Sequence, residues 1–503
     1  MLTALQAYYA DVRECVKTAG GLTAQFTSSV GVKQGCPLSP TLFGFYIDAV
    51  EQFISHHTPD GGSVTVGGRK LSMLLYADDI VFLATSAAEL QRYLDIFSDF
   101  CFHFGLSLNI TKTEVLVFSR RKHNILTSLT YRGITVPQST SYKYLGIVFD
   151  TKEGCKFAGT PLLSAARRAL FALERQLRLE NVTSVAIAIH MFDSLVAPIL
   201  TYGAEVWGSH NLYAEADKFH LGFLKRLLRV PVCTDTQSVY AECGCLPIST
   251  RMVEAQVRYW QRLRVVSASN PNRLLTLAYN EALSLMTTQH NRQCWCSRSR
   301  ATLGHLYPDA WLHTGIQQVR DIMAARVHDA LRMSITTTGT DHRDLYTHHS
   351  YCHAEHARRA YAAWFWSQPG NASNATRLAD SNMRRTLVRF RLGAHGLQVV
   401  TAVRSKAGHV KRADRLCRCC SMQVVEDEFH VVFECPLYNE VRLRFSELFR
   451  TWCVQLSVDY VTLQISDNAG RMMQQFFAHA KQATVARFIS LCLTKRQQQL
   501  SPA

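Results

Sequence analysis

The stretch Leu74-Leu75-Tyr76-Ala77-Asp78-Asp79-Ile80-Val81-Phe82-Leu83 sets two adjacent carboxylates between two apolar runs. The flanking residues read as strands over 71–76 and 80–84, with Asp78-Asp79 as the turn that joins them. Two like charges side by side repel, and a turn gains nothing structurally from the second Asp. A divalent cation resolves the repulsion, because carboxylate oxygens are the ligands Mg²⁺ prefers. A solvated hairpin tip is the other reading of the same residues, so the neighbours have to decide.

Upstream, Gly31-Val32-Lys33-Gln34-Gly35-Cys36-Pro37-Leu38-Ser39-Pro40 leads into a predicted helix over 39–55. Pro40 suits its first turn, and Leu42, Phe45, Tyr46, Ala49, Val50 and Phe53 recur at helical spacing. A helix over 1–20 is expected before it, carrying Leu2, Leu5, Tyr8, Tyr9, Val12 and Val16 on one face and ending at Gly20-Gly21. Downstream, a helix over 87–104 stops at Gly105, and Gly105-Leu106-Ser107-Leu108-Asn109-Ile110-Thr111-Lys112-Thr113-Glu114 runs into a strand at 114–119. Tyr142-Lys143-Tyr144-Leu145-Gly146 follows. Strand and helix mixed in this way make an α+β domain.

In this order the four segments resemble the successive palm motifs of reverse transcriptases, and the Gln-Gly-Cys-Pro-Leu-Ser-Pro form is similar to the non-LTR retrotransposon branch. The resemblance implies a right-hand polymerase palm, an antiparallel sheet with helices, that copies an RNA template from a DNA primer using dNTPs. It implies that Asp78 coordinates catalytic Mg²⁺ with Asp79 beside it, and that Lys112 protonates the leaving pyrophosphate. Gln34, Gly35, Tyr76 and Asn109 would lie against template and nucleotide, and Tyr144, Leu145 and Gly146 would grip the primer end. Lys112 also fits a solvated lysine at a strand end. A group II intron maturase carries a Tyr-Ala-Asp-Asp turn too, but its motif around Gln-Gly differs and no nuclease motif is found here.

Beyond residue 160 strands nearly vanish, and helices are expected over 161–179, 182–206, 214–229 and 250–266. Pro198-Ile199-Leu200-Thr201-Tyr202-Gly203-Ala204-Glu205-Val206-Trp207 and Phe223-Leu224-Lys225-Arg226-Leu227-Leu228-Arg229-Val230-Pro231 look like segments that follow the palm in these elements. They imply a thumb whose Lys225, Arg226 and Arg229 hold the duplex backbone; an ordinary solvated helix face is the alternative. Charge agrees with a polyanionic partner: residues 1–150 carry 12 basic and 12 acidic side chains, so the whole formal charge of +16 resides in the remainder.

Sixteen dispersed cysteines in 503 residues, without a signal peptide, argue against a secreted disulfide scaffold. Reduced thiols in the nucleus or cytoplasm are expected, and no membrane span. The spacing Cys417-x2-Cys420-x9-His430-x4-Cys435 suits a closed tetrahedral Zn²⁺ site, structural because four protein ligands leave no open position. Many proteins of the resembled family end in such a knuckle. Lys411, Arg412 and Arg415 beside it suggest nucleic-acid contact, whereas Cys419 is read as a bystander. His348, Cys352 and His356 form a weaker cluster at helical spacing, and Cys243, Cys245, Cys294 and Cys296 are read as buried thiols.

The expected organisation is a partial palm over 1–150, a helical thumb over 151–270, a helical or irregular linker over 271–405, a zinc knuckle over 406–440 and a helical tail over 441–503. The palm of the resembled family takes a further Asp from a strand ahead of Gln-Gly. Residues 1–30 offer only Asp11, inside the expected helix, so that Asp and the fingers are expected to lie upstream of Met1. The chain would then be inactive alone. A non-catalytic nucleic-acid-binding protein using the basic helices and the knuckle is the alternative.

Overall fold

Helix α1 (Leu2–Tyr9) stops well short of residue 20. The short strands β1 (Arg13–Glu14), β2 (Lys17–Thr18), β3 (Gly21–Leu22) and β4 (Phe26–Thr27) follow, β2 pairing with β3 inside the β1–β4 pair. Two local features explain why the helix ends. Gly21 takes φ +118°, a turn conformation open to glycine, and Thr23 Oγ1 accepts from the Val16 amide at 2.9 Å. This computed structural model describes residues 2–27, 31–33, 35–58, 62, 64–119, 128–155, 158–208, 213–234, 236–287, 294–306, 321–322, 325, 378, 380–398, 404–405, 408–410, 414–450 and 469–501. The histidine cluster around Cys352 lies outside them.

Helix α2 (Ser39–His57) starts at the expected place with Pro40 in its first turn, and buries Ile47, Val50 and Ile54. Two hairpins follow, β5 (Val64–Val66) with β6 (Arg69–Leu71), and β7 (Met73–Tyr76) with β8 (Asp79–Phe82). Helix α3 (Ala87–His103) is capped by Ser86, whose hydroxyl accepts from the Glu89 amide at 3.2 Å while Glu89 accepts from the Thr85 amide at 3.1 Å. Gly105 at φ +62° closes it. Tyr93, Phe97 and Phe100 of α3 meet Ile47, Val50 and Ile54 of α2, with Leu75, Ile80 and Phe82 of the hairpin packed on the same cluster. Thus the core that holds the Asp-Asp hairpin is built from its own apolar strand faces.

The remaining strands of this region are β9 (Val115–Leu116), β10 (Leu129–Tyr131), β11 (Ile134–Val136), β12 (Gln138–Ser139), β13 (Ser141–Tyr144) and β14 (Ile147–Asp150). β9 pairs with β12 in parallel, and β10–β11 and β13–β14 are antiparallel hairpins. Among the described residues each strand has a single partner, so the expected antiparallel sheet is present as small two-stranded ladders. Residues 1–154 with 263–291 form one compact unit. The helix Leu274–Thr287 belongs to it, and its Glu281 carboxylate accepts from the Gly67 amide at 2.7 Å.

Residues 155–262 with 292–503 form the second unit, which is helical. It opens with α4 (Gly159–Leu179), α5 (Val185–Leu195), α6 (Ala197–Thr201) and α7 (Ala204–Trp207). The single helix expected over 182–206 is therefore broken, because Pro198 lacks an amide proton and Gly203 sits at φ +65°. Next come α8 (Tyr213–Leu228), α9 (Thr236–Cys243), α10 (Ser249–Ser269), whose residues from Leu263 onward belong to the first unit, α11 (Trp295–Leu306) and α12 (Ser381–Arg391). The Cys/His segment, α13 (Asn439–Arg444), α14 (Ala469–Ala478) and α15 (Gln482–Leu500) complete it. Phe433, Phe449, Phe476 and Phe488 pack edge to face and in stacks at its centre. Among the described residues no helix is long and apolar enough to cross a membrane.

Candidate active site and metal centre

In the β7–β8 hairpin Met73 faces Phe82, Leu74 faces Val81, Leu75 faces Ile80 and Tyr76 faces Asp79. Ala77 and Asp78 are then the two-residue loop, and Ala77 takes φ +50°, a left-handed conformation that costs a non-glycine residue free energy. Because the inward strand residues are spoken for by the core, the tip is driven outward. Tyr76 is 63% exposed, and Asp78 and Asp79 are both exposed. Among the described residues neither carboxylate is in an ion pair, so their mutual repulsion is uncompensated. That donor set suits a hard divalent cation. No third Asp, Glu, His or Cys ligand atom joins them there among the described residues.

The neighbouring hairpin approaches the tip. Tyr144 faces Ile147 across β13–β14, leaving Leu145 at φ +48° and Gly146 at φ +83° as a two-residue turn of the type that matches strand twist. Partial burial, and after it the negative charge of Asp79, raise the Tyr144 phenol above its ordinary value. The Asp79 charge is thus felt at Tyr144, a proximity that the sequence reading did not specify.

Lys112 ends a short helical turn, Ile110–Lys112, and is exposed; its carbonyl accepts from the Tyr142 hydroxyl at 3.4 Å. Asn109 precedes that turn, and its side-chain oxygen accepts from Thr111 Oγ1 at 2.7 Å. Gly35 is exposed with φ +81°, and Gln34 lies outside the described residues. The loop around them is tied back to α1. Lys33 Nζ stands 3.8 Å from the Tyr8 ring centre, and Tyr9 donates to Cys36 Sγ at 3.9 Å. A hydrogen bond from the Leu38 amide outweighs burial and lowers the Cys36 thiol to about 7. These tyrosine contacts have no periodic signal, and sequence reading put Tyr8 and Tyr9 only on a helix face.

In the second unit Cys417, Cys420, His430 and Cys435 place their ligating atoms all within 4.8 Å of one another. Cys417 and Cys420 lie in a hairpin closed by the Leu416–Val425 bridge, and Cys435 caps the wide helical turn His430–Glu434. His430 Nε2 is 3.4 Å from Cys420 Sγ, and its Nδ1 is 3.0 Å from Glu434 Oε2. A carboxylate on the far ring nitrogen is how metal-binding imidazoles are oriented. Glu434 was not anticipated, although a Glu four residues after a His on a helix is a usable signal. A hydrogen bond from Cys435 overcomes burial to draw the Cys417 thiol down to about 3, with His430 adding to it. Burial disfavours charge on His430, but hydrogen bonds with Cys417 and Glu434 outweigh it and raise the imidazole to about 10. Soft donors converging on one point fit Zn²⁺. Cys419 instead has its Sγ 4.0 Å from Glu426.

The expected basic surface is corrected in part. Lys225 points inward, is 8% exposed and donates from Nζ to the Val232 carbonyl at 2.6 Å. Arg415 is likewise buried and donates to the Val410 carbonyl. Both satisfy backbone acceptors that burial would otherwise strand, so neither presents its charge to a phosphate. Arg226 is exposed but paired with Glu174 at 2.8 Å; Arg229 is exposed. Lys411 and Arg412 lie outside the described residues.

Comparison with known proteins accords with the first unit. Residues 2–149 match the family described as reverse transcriptase (RNA-dependent DNA polymerase). The chain is 25% identical over 264 residues to the RNA-directed DNA polymerase from mobile element jockey of Drosophila melanogaster, an alignment covering 50% of this chain and 27% of that protein. The jockey polymerase of Drosophila funebris is also 25% identical, over 48% of this chain and 26% of the relative. A retrovirus-related Pol polyprotein from the type-1 retrotransposable element R2 of Popillia japonica is 27% identical over 44% of this chain and 31% of its own length. The chain therefore spans about a quarter to a third of the length of these relatives. Residues 2–149, which hold the Asp-Asp hairpin, thus match the reverse transcriptase family, and the relatives named are an RNA-directed DNA polymerase of a mobile element in two flies and a Pol polyprotein of a retrotransposable element.

Proposed function

We propose that this chain serves RNA-directed DNA synthesis in a non-LTR retrotransposon, with residues 1–150 as the palm and 151–270 as the thumb. The observation that carries this reading is the exposed, unpaired Asp78-Asp79 tip beside Tyr144, inside the segment matched to reverse transcriptases. Asp78 and Asp79 would hold Mg²⁺, which when bound activates a primer 3′-hydroxyl and stabilises pyrophosphate as it leaves. Lys112 donates a proton to that pyrophosphate. Gln34, Gly35, Tyr76 and Asn109 contact template and incoming dNTP, Gly35 because a Cβ at its positive φ would strain the loop. The Tyr144-Leu145-Gly146 turn positions the primer end, and Arg226 and Arg229 hold template–primer phosphates.

Two carboxylates grip one cation loosely, and a two-metal site needs a bridging ligand besides. We infer that the residues of this chain do not complete that site by themselves. Primer extension on a primed RNA template tests it: no product is expected from the chain alone, and robust synthesis that disappears on Asp78→Ala would show that the site is complete.

A second reading, nucleic-acid binding without catalysis, is favoured by the Cys/His cluster. Cys417, Cys420, His430 and Cys435 would hold a structural Zn²⁺, and Lys411 and Arg412 beside it would touch RNA or DNA. Neither reading gives product from the chain alone, so filter binding to template–primer separates them: a Mg²⁺-dependent gain in affinity that is lost in Asp78→Ala supports the first, and binding indifferent to Mg²⁺ and to Asp78→Ala supports the second. The residues' chemistry fits action in the nucleus or cytoplasm.

A further inference from the structure

Helix α12 packs against α8 in the second unit, and this brings arginines far apart in sequence to one place. Arg229 follows the last turn of α8, and Arg384, Arg385 and Arg389 project from α12. Arg384 is held by a bond from Nη1 to the Leu378 carbonyl at 2.7 Å, and Arg389 by one from Nε to the Ala394 carbonyl at 2.8 Å. Each guanidinium is thereby fixed by one N–H and keeps other donors available. Arg385 and Arg229 are exposed. The helix sequence Ser381–Arg391 has no acidic residue, and Asp380 uses its carboxylate to accept from the Asn382 and Met383 amides at 2.8 and 2.9 Å. Among the described residues none of the four guanidiniums forms an ion pair. The crowding is felt electrostatically: burial first, then Arg229, lowers Arg384 against the opposing pull of Asp380, and burial followed by Arg385 lowers Arg389.

We propose that Arg229, Arg384, Arg385 and Arg389 form a phosphodiester-binding site that carries the nucleic-acid track of the thumb onto helix α12, outside the matched polymerase segment. The site rests on the reading that this protein handles nucleic acid. Packing four cations beside the single carboxylate of Asp380 leaves an excess of positive charge, and a polyanion is the ligand class that reverses the sign of that interaction. Guanidinium forks match phosphate oxygens geometrically, and contacts of this kind read backbone and not sequence. The partner is a polynucleotide strand or duplex, whose regularly spaced phosphates can engage several of these groups at once.

The test uses the full 503-residue chain and a short fluorescein-labelled RNA, alone and annealed to complementary DNA, with anisotropy read across a salt series. Replacing Arg384, Arg385 and Arg389 by Gln should lower the slope of log affinity against log salt by about 2 to 3. Arg385→Glu, at an exposed position, should lower it by about 1 by itself. Replacing the exposed Arg444, Arg450 and Arg487 by Gln removes the same charge elsewhere and should leave the slope unchanged. An unchanged slope in both the triple variant and Arg385→Glu overturns the site, as does an equal loss in the control. If wild type binds neither RNA nor hybrid, the nucleic-acid reading itself fails and the site with it. Equal loss of binding to phosphatidylserine vesicles, with RNA binding intact, would also overturn the assignment.

Discussion

Leu145 occupies φ +48°, where a side chain meets its own backbone, in a turn that Gly146 makes possible at φ +83°. Leu145→Asn should stabilise the β13–β14 hairpin by about 0.5–1 kcal/mol, since Asn tolerates this conformation, whereas Gly146→Val should cost more than that. Equilibrium denaturation of the two variants measures both, and opposite signs are the expected result. At this scale much was legible. The convergence of Cys417, Cys420, His430 and Cys435 was readable because their residue types at short fixed spacing carry it. The inward turn of Lys225 was not, because a lysine on a helix looks the same in sequence whether its ammonium meets water or the Val232 carbonyl.

Elements add terms that single residues do not show. His220 on α8 is 4% exposed and stacks on Phe192 at 5.1 Å, and burial first, then Arg251, depresses its imidazole to about 3. In the unfolded chain it protonates near its ordinary value, so below pH about 6.5 the unfolded state binds more protons and stability falls as pH drops. The loss should approach about 1.4 kcal/mol per pH unit between pH 6 and 4, and His220→Leu should flatten that slope in urea melts. Arg496 of α15 meets buried Glu426 through Nε at 2.6 Å and Nη2 at 2.8 Å, seventy positions apart in sequence. Arg496→Ala strands a buried carboxylate and should destabilise the second unit by about 3–5 kcal/mol, with Glu426→Gln restoring part of the loss in the double variant. Helix limits were well forecast for α2, α3 and α4, where caps, Pro and Gly mark the ends. They failed for α1 and across 182–206, where a hairpin with Thr23 and the breaks at Pro198 and Gly203 override apolar spacing.

For the molecule, the Cys/His centre and the C-terminal helices share one core, since Phe433 of the ligand turn meets Phe449 and Phe476 edge to face and Phe488 packs on both of those rings. Stripping metal with a chelator should therefore lower the melting temperature of the whole second unit, and Cys420→Ser should mimic it with loss of stoichiometric zinc by atomic absorption. A metal-independent melt in both cases would remove the structural role of the site. Residues 1–154 should melt unchanged under the same treatment if their core, built from α2, α3 and the hairpins, stands by itself.

What the sequence by itself determined is the chemistry: an acidic turn between apolar strands, a glycine-bearing loop before a helix, and thiols at metal spacing. These depend on residue types and short separations, which the covalent chain carries unaided. Only the tertiary structure decided which charges face outward, that the Asp79 charge reaches Tyr144, and that Arg384 comes beside Arg229. Such juxtapositions arise from burial of distant apolar faces against one another, and no local pattern encodes them.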